Sequence, residues 1–221
     1  MRPASASATF QPLDHLLGTP GLVRVTRVLA SHGHGLAIPD LARRARLALP
    51  STRDAVRRLT DAGFVDVIGA GRSSICAIRL DHPMAAPVSA LFAAERAQAD
   101  AMLDGLRKAA ASLRPAPAAL WLYGSVARGE DQPTSDIDLA LVVDGDDATG
   151  PTEAFRDAAA VAVPAHAPRL SVIGMTVTDA ARLASEDAAI WRELARDAVV
   201  LAGDAPVAVL EHAGSSTGVR P

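Results

Sequence analysis

The chain has 221 residues, 49% of them apolar, and a formal net charge of -3 at pH 7, which is enough apolar material for a full core and fits two small domains better than one large one. Cys76 is the only cysteine, which excludes a disulfide framework and a Cys-rich metal site and suits a reducing compartment, while no stretch approaches the ~20 apolar residues of a membrane span and no secretion signal opens the chain, so a cytoplasmic protein without membrane contacts is expected. The charge is uneven: residues 1–80 carry 11 arginines against 5 acidic groups, and the remainder 11 basic against 20 acidic groups, so only the front suits a polyanionic partner.

The first dozen residues and the closing "AGSSTGVRP" are small and polar, and residues 1–15 and 204–221 read as mobile tails. From Gly21, "GLVRVTRVLASHG" sets Leu22, Val25, Val28 and Leu29 on one helical face and stops at Gly33. His32 and His34 in "SHGHG" have the spacing of a metal pair, but without further ligands a polar turn is the better reading. "IPDLARRARLAL" starts a second helix near Pro39, with Leu41, Ala42 and Ala45 inward. "PSTRDAVRRLTDAGF" starts a third, with Ser51 as N-cap, Asp54 as the capping-box acid, Ala55, Val56, Leu59 and Ala62 inward, and Gly63 as the stop.

Two period-two runs then flank "GAGRSS", the pattern of a hairpin with a glycine-rich tip. The order helix, helix, helix, hairpin is that of a winged helix-turn-helix, whose recognition helix reads the major groove from near its N-terminus. Ser51, Thr52, Arg53, Arg57 and Arg58 are expected on the exposed face of the third helix, and Arg72 at the hairpin tip, where arginines can meet guanine edges or phosphates of double-stranded DNA. A solvated helix face on a protein-binding domain is the alternative.

"IPDLARRARLALPSTRDAVRRLTDAGFVDVIGAGR" resembles the winged helix-turn-helix domains of bacterial regulators of the ArsR and MarR type. The resemblance spans residues 16–80 and lacks the metal-binding Cys/His sets of some ArsR sensors. It implies a DNA-binding transcription regulator and, because such proteins commonly read two half-sites, a homodimer.

Ala85 to Leu113 is rich in Ala, Leu, Glu and Arg and reads as a long helix bridging the domains over residues 81–114. Residues 115–203 then alternate strands and helices: "ALWLYG" and "DIDLALVVD" as strands, Pro151 to Val163 as a helix, "RLSVIGMTV" as a third strand, Asp179 to Ala184 as a short helix, and "AIWRELARDAVVLAG" as a helix running into an apolar stretch. The overall expectation is α+β, with a C-terminal α/β domain.

Within it, "GSVARGEDQPTSDID" carries the chemistry. Gly124 permits close approach of a phosphate group, and Ser125 opens a helical turn with free amides and a hydroxyl. Strand alternation sends Asp136 and Asp138 to one face, where two carboxylates repel unless a cation lies between them; magnesium, shared with nucleotide phosphates, is the natural choice.

"LYGSVARGEDQPTSDIDLALVV" is similar to the signature of the DNA polymerase β-type nucleotidyltransferase superfamily, particularly its minimal members: Gly-Ser, ten residues, Asp-x-Asp. The resemblance implies that Gly124 and Ser125 meet the phosphates of a nucleoside triphosphate and that Asp136 and Asp138 are catalytic and hold Mg2+ or Mn2+. It implies a mixed sheet with flanking helices, and transfer of a nucleoside monophosphate to a hydroxyl with pyrophosphate released. Arg128 and Ser135 are candidate nucleotide-binding or loop-ordering groups. Active members usually add a third carboxylate on a later strand, and here Ser171 stands in that place; a serine is neither a base nor a hard anionic ligand. Asp144 and Asp179 lie nearby but lack apolar strand on both sides. Three readings follow: an active transferase in a DNA-binding regulator, a catalytically weak nucleotide sensor, and an antitoxin-like enzyme that AMPylates a partner protein.

Overall fold

In the computed structural model, residues 9–10, 19–69, 74–161, 163 and 169–216 are described, with side chains through residue 211. The chain divides into two compact units, Phe10–Gln98 and Met1–Thr9 with Ala99–Pro221, and the boundary falls inside one long helix.

The first unit begins with α1 (Pro20–Ala30), opened by a proline whose fixed φ and missing N–H suit a first turn. A two-residue strand β1 (Leu36–Ala37), not anticipated, precedes α2 (Ile38–Ala45), which buries Leu41, Ala42 and Ala45 as expected. His32 Nδ1 lies 2.8 Å from the Val28 carbonyl and 3.0 Å from Ser31 Oγ, so the histidine serves the polar turn after α1.

α3 spans Leu49–Asp61 and corrects two expectations. Its N-cap is Ala48, not Ser51, because Pro50 fits the first helical turn and the helix starts ahead of it. With the helix running back to Leu49, the expected stripe of Ala55, Val56 and Leu59 continues one turn earlier to Thr52, at i, i+3, i+4 and i+7, while Ala62 at the other end is the exposed C-cap. Thr52 is therefore fully buried, its hydroxyl donating to the Ala48 carbonyl at 3.2 Å, and it leaves the exposed set.

β2 (Val65–Ile68) and β3 (Ile75–Ile78) form the expected antiparallel hairpin, with β1 on the other side of β3. Its tip, with Arg72, lies outside the described residues. Val25, Leu29, Leu41, Val56, Phe64, Val65 and Cys76 pack into one core beneath. α4 (Ala85–Ser112) is the long helix; its Glu95, 4% exposed, takes Arg27 of α1 in a two-pronged ion pair at 2.6 and 3.0 Å, with the Arg27 guanidinium over the Phe92 ring.

The second unit has a four-stranded mixed sheet in the order β6-β5-β4-β7. β4 (Ala119–Tyr123) leads through a one-turn helix, α5 (Gly124–Arg128), to β5 (Ile137–Val143), its antiparallel neighbour. α6 (Thr149–Ala160) carries the chain to β6 (Leu170–Thr176), parallel to β5. α7 (Val177–Ser185), α8 (Ala189–Asp197) and β7 (Val199–Gly203) follow, β7 antiparallel to β4. Leu120, Trp121, Leu122, Ile137, Leu139 and Leu141 are fully buried, each worth roughly 1.5–3 kcal/mol of transfer free energy.

Residues 206–216 are not a mobile tail: they form α9 (Pro206–Ser216), whose Val209 is buried in the core around Trp121 and Trp191. At the other end Phe10 is buried, and the Thr9 amide donates to Asp131 Oδ2 at 2.8 Å. No helix among the described residues is long and apolar enough to cross a membrane.

Candidate functional site

Three strand positions in lateral register make the centre of the site. Tyr123, the last residue of β4, pairs with Asp138 of β5, and Asp138 pairs on its other side with Ser171 of β6. Gly124 follows Tyr123 with φ +72, a conformation that side chains disfavour. A Cβ there would collide with Asp138 Oδ2 and lie 3.2 Å from its Cγ. The glycine thus lets the backbone close directly on the carboxylate, with Ser125 next to it, half-buried, in α5.

Burial raises the Asp138 pKa above its ordinary value of 3.8, the Ser171 hydroxyl hydrogen-bonded to the carboxylate opposes that rise, and the charges of Asp136 and Glu193 add to it. Asp136 is exposed, just ahead of β5. Tyr123 is pushed up to about 12, by burial first and then by Asp138 and Glu193. The centre is therefore short of positive charge, which a cation would supply. Asp136 and Asp138 fit the one or two carboxylates that Mg2+ takes beside water and phosphate ligands. Among the described residues no three His, Cys, Asp or Glu side chains converge on a metal position, and the Ser171 hydroxyl stands in register beside Asp138.

Arg128 ends α5 with its guanidinium held by carboxylates: Nε to Glu130 at 2.8 Å, and Nη1 to Glu193 at 2.9 Å and Asp197 at 3.3 Å. Ser135 closes a turn: its Oγ accepts from the Gln132 amide at 2.9 Å, and its own amide donates to the Gln132 carbonyl at 2.9 Å. Asp179 belongs to a capping box with Thr176 at the start of α7, and Asp144 is exposed beyond the far end of β5.

Glu193 and Asp197 were not anticipated. Their four-residue spacing puts them on one face of α8 while Trp191 and Leu194 are buried, but nothing local marks that face as turned toward a residue 65 positions away.

In the first unit, Ser51, Arg53, Arg57 and Arg58 are exposed on α3. Asp54 on the same helix pairs with both Arg57 and Arg58, the latter at 3.0 Å, whereas Arg53 makes no ion pair among the described residues. The basic face is thus partly neutralised from within.

No curated protein and no solved structure matches the chain. Residues 103–170, from within α4 to the first residue of β6, match the model of a family described as "Nucleotidyltransferase domain". The match takes in Gly124, Ser125, Asp136 and Asp138, stops one residue short of Ser171, and supports a nucleotidyl transfer activity in general terms for the second unit.

Proposed function

We propose that the second unit binds a nucleoside triphosphate with Mg2+ or Mn2+ and transfers its nucleoside monophosphate to a hydroxyl acceptor, in a protein whose first unit binds double-stranded DNA as a transcription regulator. The observation that carries the transfer reading is the closure of Gly124 on Asp138, with Asp136 beside it. Gly124 and Ser125 would offer the phosphates backbone amides and a hydroxyl beside the Asp138 carboxylate, and Asp136 and Asp138 would hold the cation between. When bound, that cation screens the phosphate charge and polarises the α-phosphorus. The acceptor oxygen bonds to that phosphorus, the bridging P–O bond to the β-phosphate breaks, and pyrophosphate leaves with the electron pair. The proton of the acceptor hydroxyl passes to solvent water, because Ser171 is no base, and the transfer is therefore slow.

The test is incubation of the protein with each α-labelled NTP and Mg2+ or Mn2+, with and without host lysate, beside an Asp136→Asn/Asp138→Asn control. Label reaching an acceptor only with both aspartates intact is the expected result, and the lysate arm covers a protein acceptor. No label under any condition overturns the transfer reading.

A nucleotide sensor is the second reading, favoured by Ser171 standing in register with Asp138. It expects metal-dependent nucleotide binding without transfer, and a DNA affinity that changes with nucleotide.

For the DNA reading, Arg53 and Ser51 near the start of α3, with Arg57 and Arg58 one turn on, are the groups that meet the groove and phosphates. Genomic fragments should be enriched by the protein at low salt and less at moderate salt, and Arg53→Ala should weaken that enrichment. No enrichment at either salt overturns it. A homodimer, expected to read two half-sites, is checked by light scattering at micromolar concentration.

A further inference from the structure

Arg128 lies three residues after Ser125, at the end of a five-residue helix bounded by two glycines of positive φ, Gly124 at +72° and Gly129 at +68°. A single turn has no independent stability, and glycine at each end gives it two swivels. Its orientation is therefore set by its surroundings, in part through Val126 and Ala127, which are buried, and in part by what holds Arg128 at its end. Besides Glu130, the partners that hold Arg128 are Glu193 and Asp197 of α8. α8 is itself fixed from its opposite face, where Trp191 and Leu194 are buried and the Trp191 ring meets Trp121 of β4 edge-on at 6.3 Å.

The charge balance says what Arg128 does not do. Three carboxylates, Glu130, Glu193 and Asp197, surround two guanidinium groups, Arg128 and Arg196, the latter on Asp197 at 2.6 Å, so the neighbourhood stays net negative and the Arg128 guanidinium is engaged by carboxylates rather than free for phosphate. We infer that Arg128 is a positioning residue: through Glu193 and Asp197 it clamps α5 to α8, and so fixes the Gly124–Ser125 turn against Asp138, without itself binding the triphosphate. This rests on the nucleotide reading above and replaces the expectation that Arg128 contacts phosphate.

The two roles predict opposite signs for one variant. If Arg128 binds phosphate, removing its carboxylates frees it, and affinity rises or stays level. If it positions the turn, removing them loosens the turn. Calorimetric titration of the full chain with Mg-tripolyphosphate, and with each Mg-NTP, should give roughly ten- to a hundredfold weaker binding for Glu193→Gln/Asp197→Asn, in the same direction as Arg128→Gln. The combined triple variant should be no weaker than the weaker of the two, and Arg128→Lys, which keeps one ion pair, should recover part of the loss. Circular dichroism of each variant reports whether it folds; Glu193→Gln alone serves if the double variant does not. Unchanged or tighter binding by the carboxylate variant overturns the clamp and leaves the nucleotide reading standing. No binding by the wild-type chain to any of the five probes overturns the nucleotide reading, and the clamp's role with it.

Discussion

Gly124 abuts Asp138 so closely that the backbone of one and the carboxylate of the other occupy a space no Cβ could share. Gly124→Ala should cost about 1–3 kcal/mol, from the positive φ and the forced displacement of the aspartate. It should also abolish nucleotide binding. Denaturant titration and calorimetry measure the two losses. Adding Asp138→Ala should restore part of the stability and none of the binding, because the overlap is with that side chain.

Ser171 faces Asp138 from the neighbouring parallel strand. Ser171→Asp should raise the rate of Mg-dependent transfer by about tenfold or more, by supplying a base and a third anionic ligand. Without metal the variant should melt below wild type, because two carboxylates then share a half-buried site. Its melting temperature should rise with Mg2+ more than that of wild type. A rate unchanged from wild type, with transfer otherwise detectable, would remove Ser171 as the limiting feature.

Asp179 is held below the ordinary carboxylate pKa of 3.8, first by the Thr176 hydroxyl, which donates to Oδ2 at 2.8 Å, and then by the Thr176 amide at 3.2 Å. A depressed folded pKa means the contribution is fully present above the unfolded value of 3.8 and is lost as pH falls through the lower folded value. The side chain is 45% exposed, so solvent screening keeps the effect small. Asp179→Asn should cost at most about 0.5 kcal/mol at neutral pH, because the Thr176 cap stays, an amide oxygen can still accept from Thr176, and only a screened charge is lost. The gap between wild type and variant should close in melts below pH 3.8.

The pair of Arg27 and Glu95 is nearly dry, at 14% and 4% exposed. Replacing Glu95 alone with Leu should cost about 1–3 kcal/mol, because the two charge-assisted hydrogen bonds its carboxylate accepts from Arg27 are lost. Replacing both residues, as Arg27→Met/Glu95→Leu, should cost less than the single change. Denaturant titrations of the three chains give the comparison, and a single variant as stable as the double one would contradict it.

Much of the fold was legible in the sequence because it is written in local periods. α2 buries the three residues its spacing indicates, the hairpin sits where two alternating runs flank a glycine-rich tip, and α4 matches its helix-forming stretch almost end to end. Errors fell at element boundaries and in segments whose role depends on a partner. Thr52 was misplaced because the helix starts at Leu49, ahead of Pro50, so Thr52 lies inside it, three and four residues before Ala55 and Val56 on the same inward stripe. α9 was missed because a short apolar segment followed by Gly and Ser looks like a tail until Val209 finds the core around Trp121.

What the sequence determined by itself was the pairing of Gly-Ser with Asp-x-Asp, since that pattern needs only short spacing and strand alternation to be recognised. Tertiary structure decided what those residues face. β5 and β6 had to pair in parallel before Ser171 could stand beside Asp138. α8 had to fold back before Arg128, 65 and 69 residues away, could meet Glu193 and Asp197. The physical reason is range: φ preferences and hydrophobic periods act over a few residues, whereas the charge around a carboxylate or a guanidinium is set by whichever distant segments the core brings within a few ångströms.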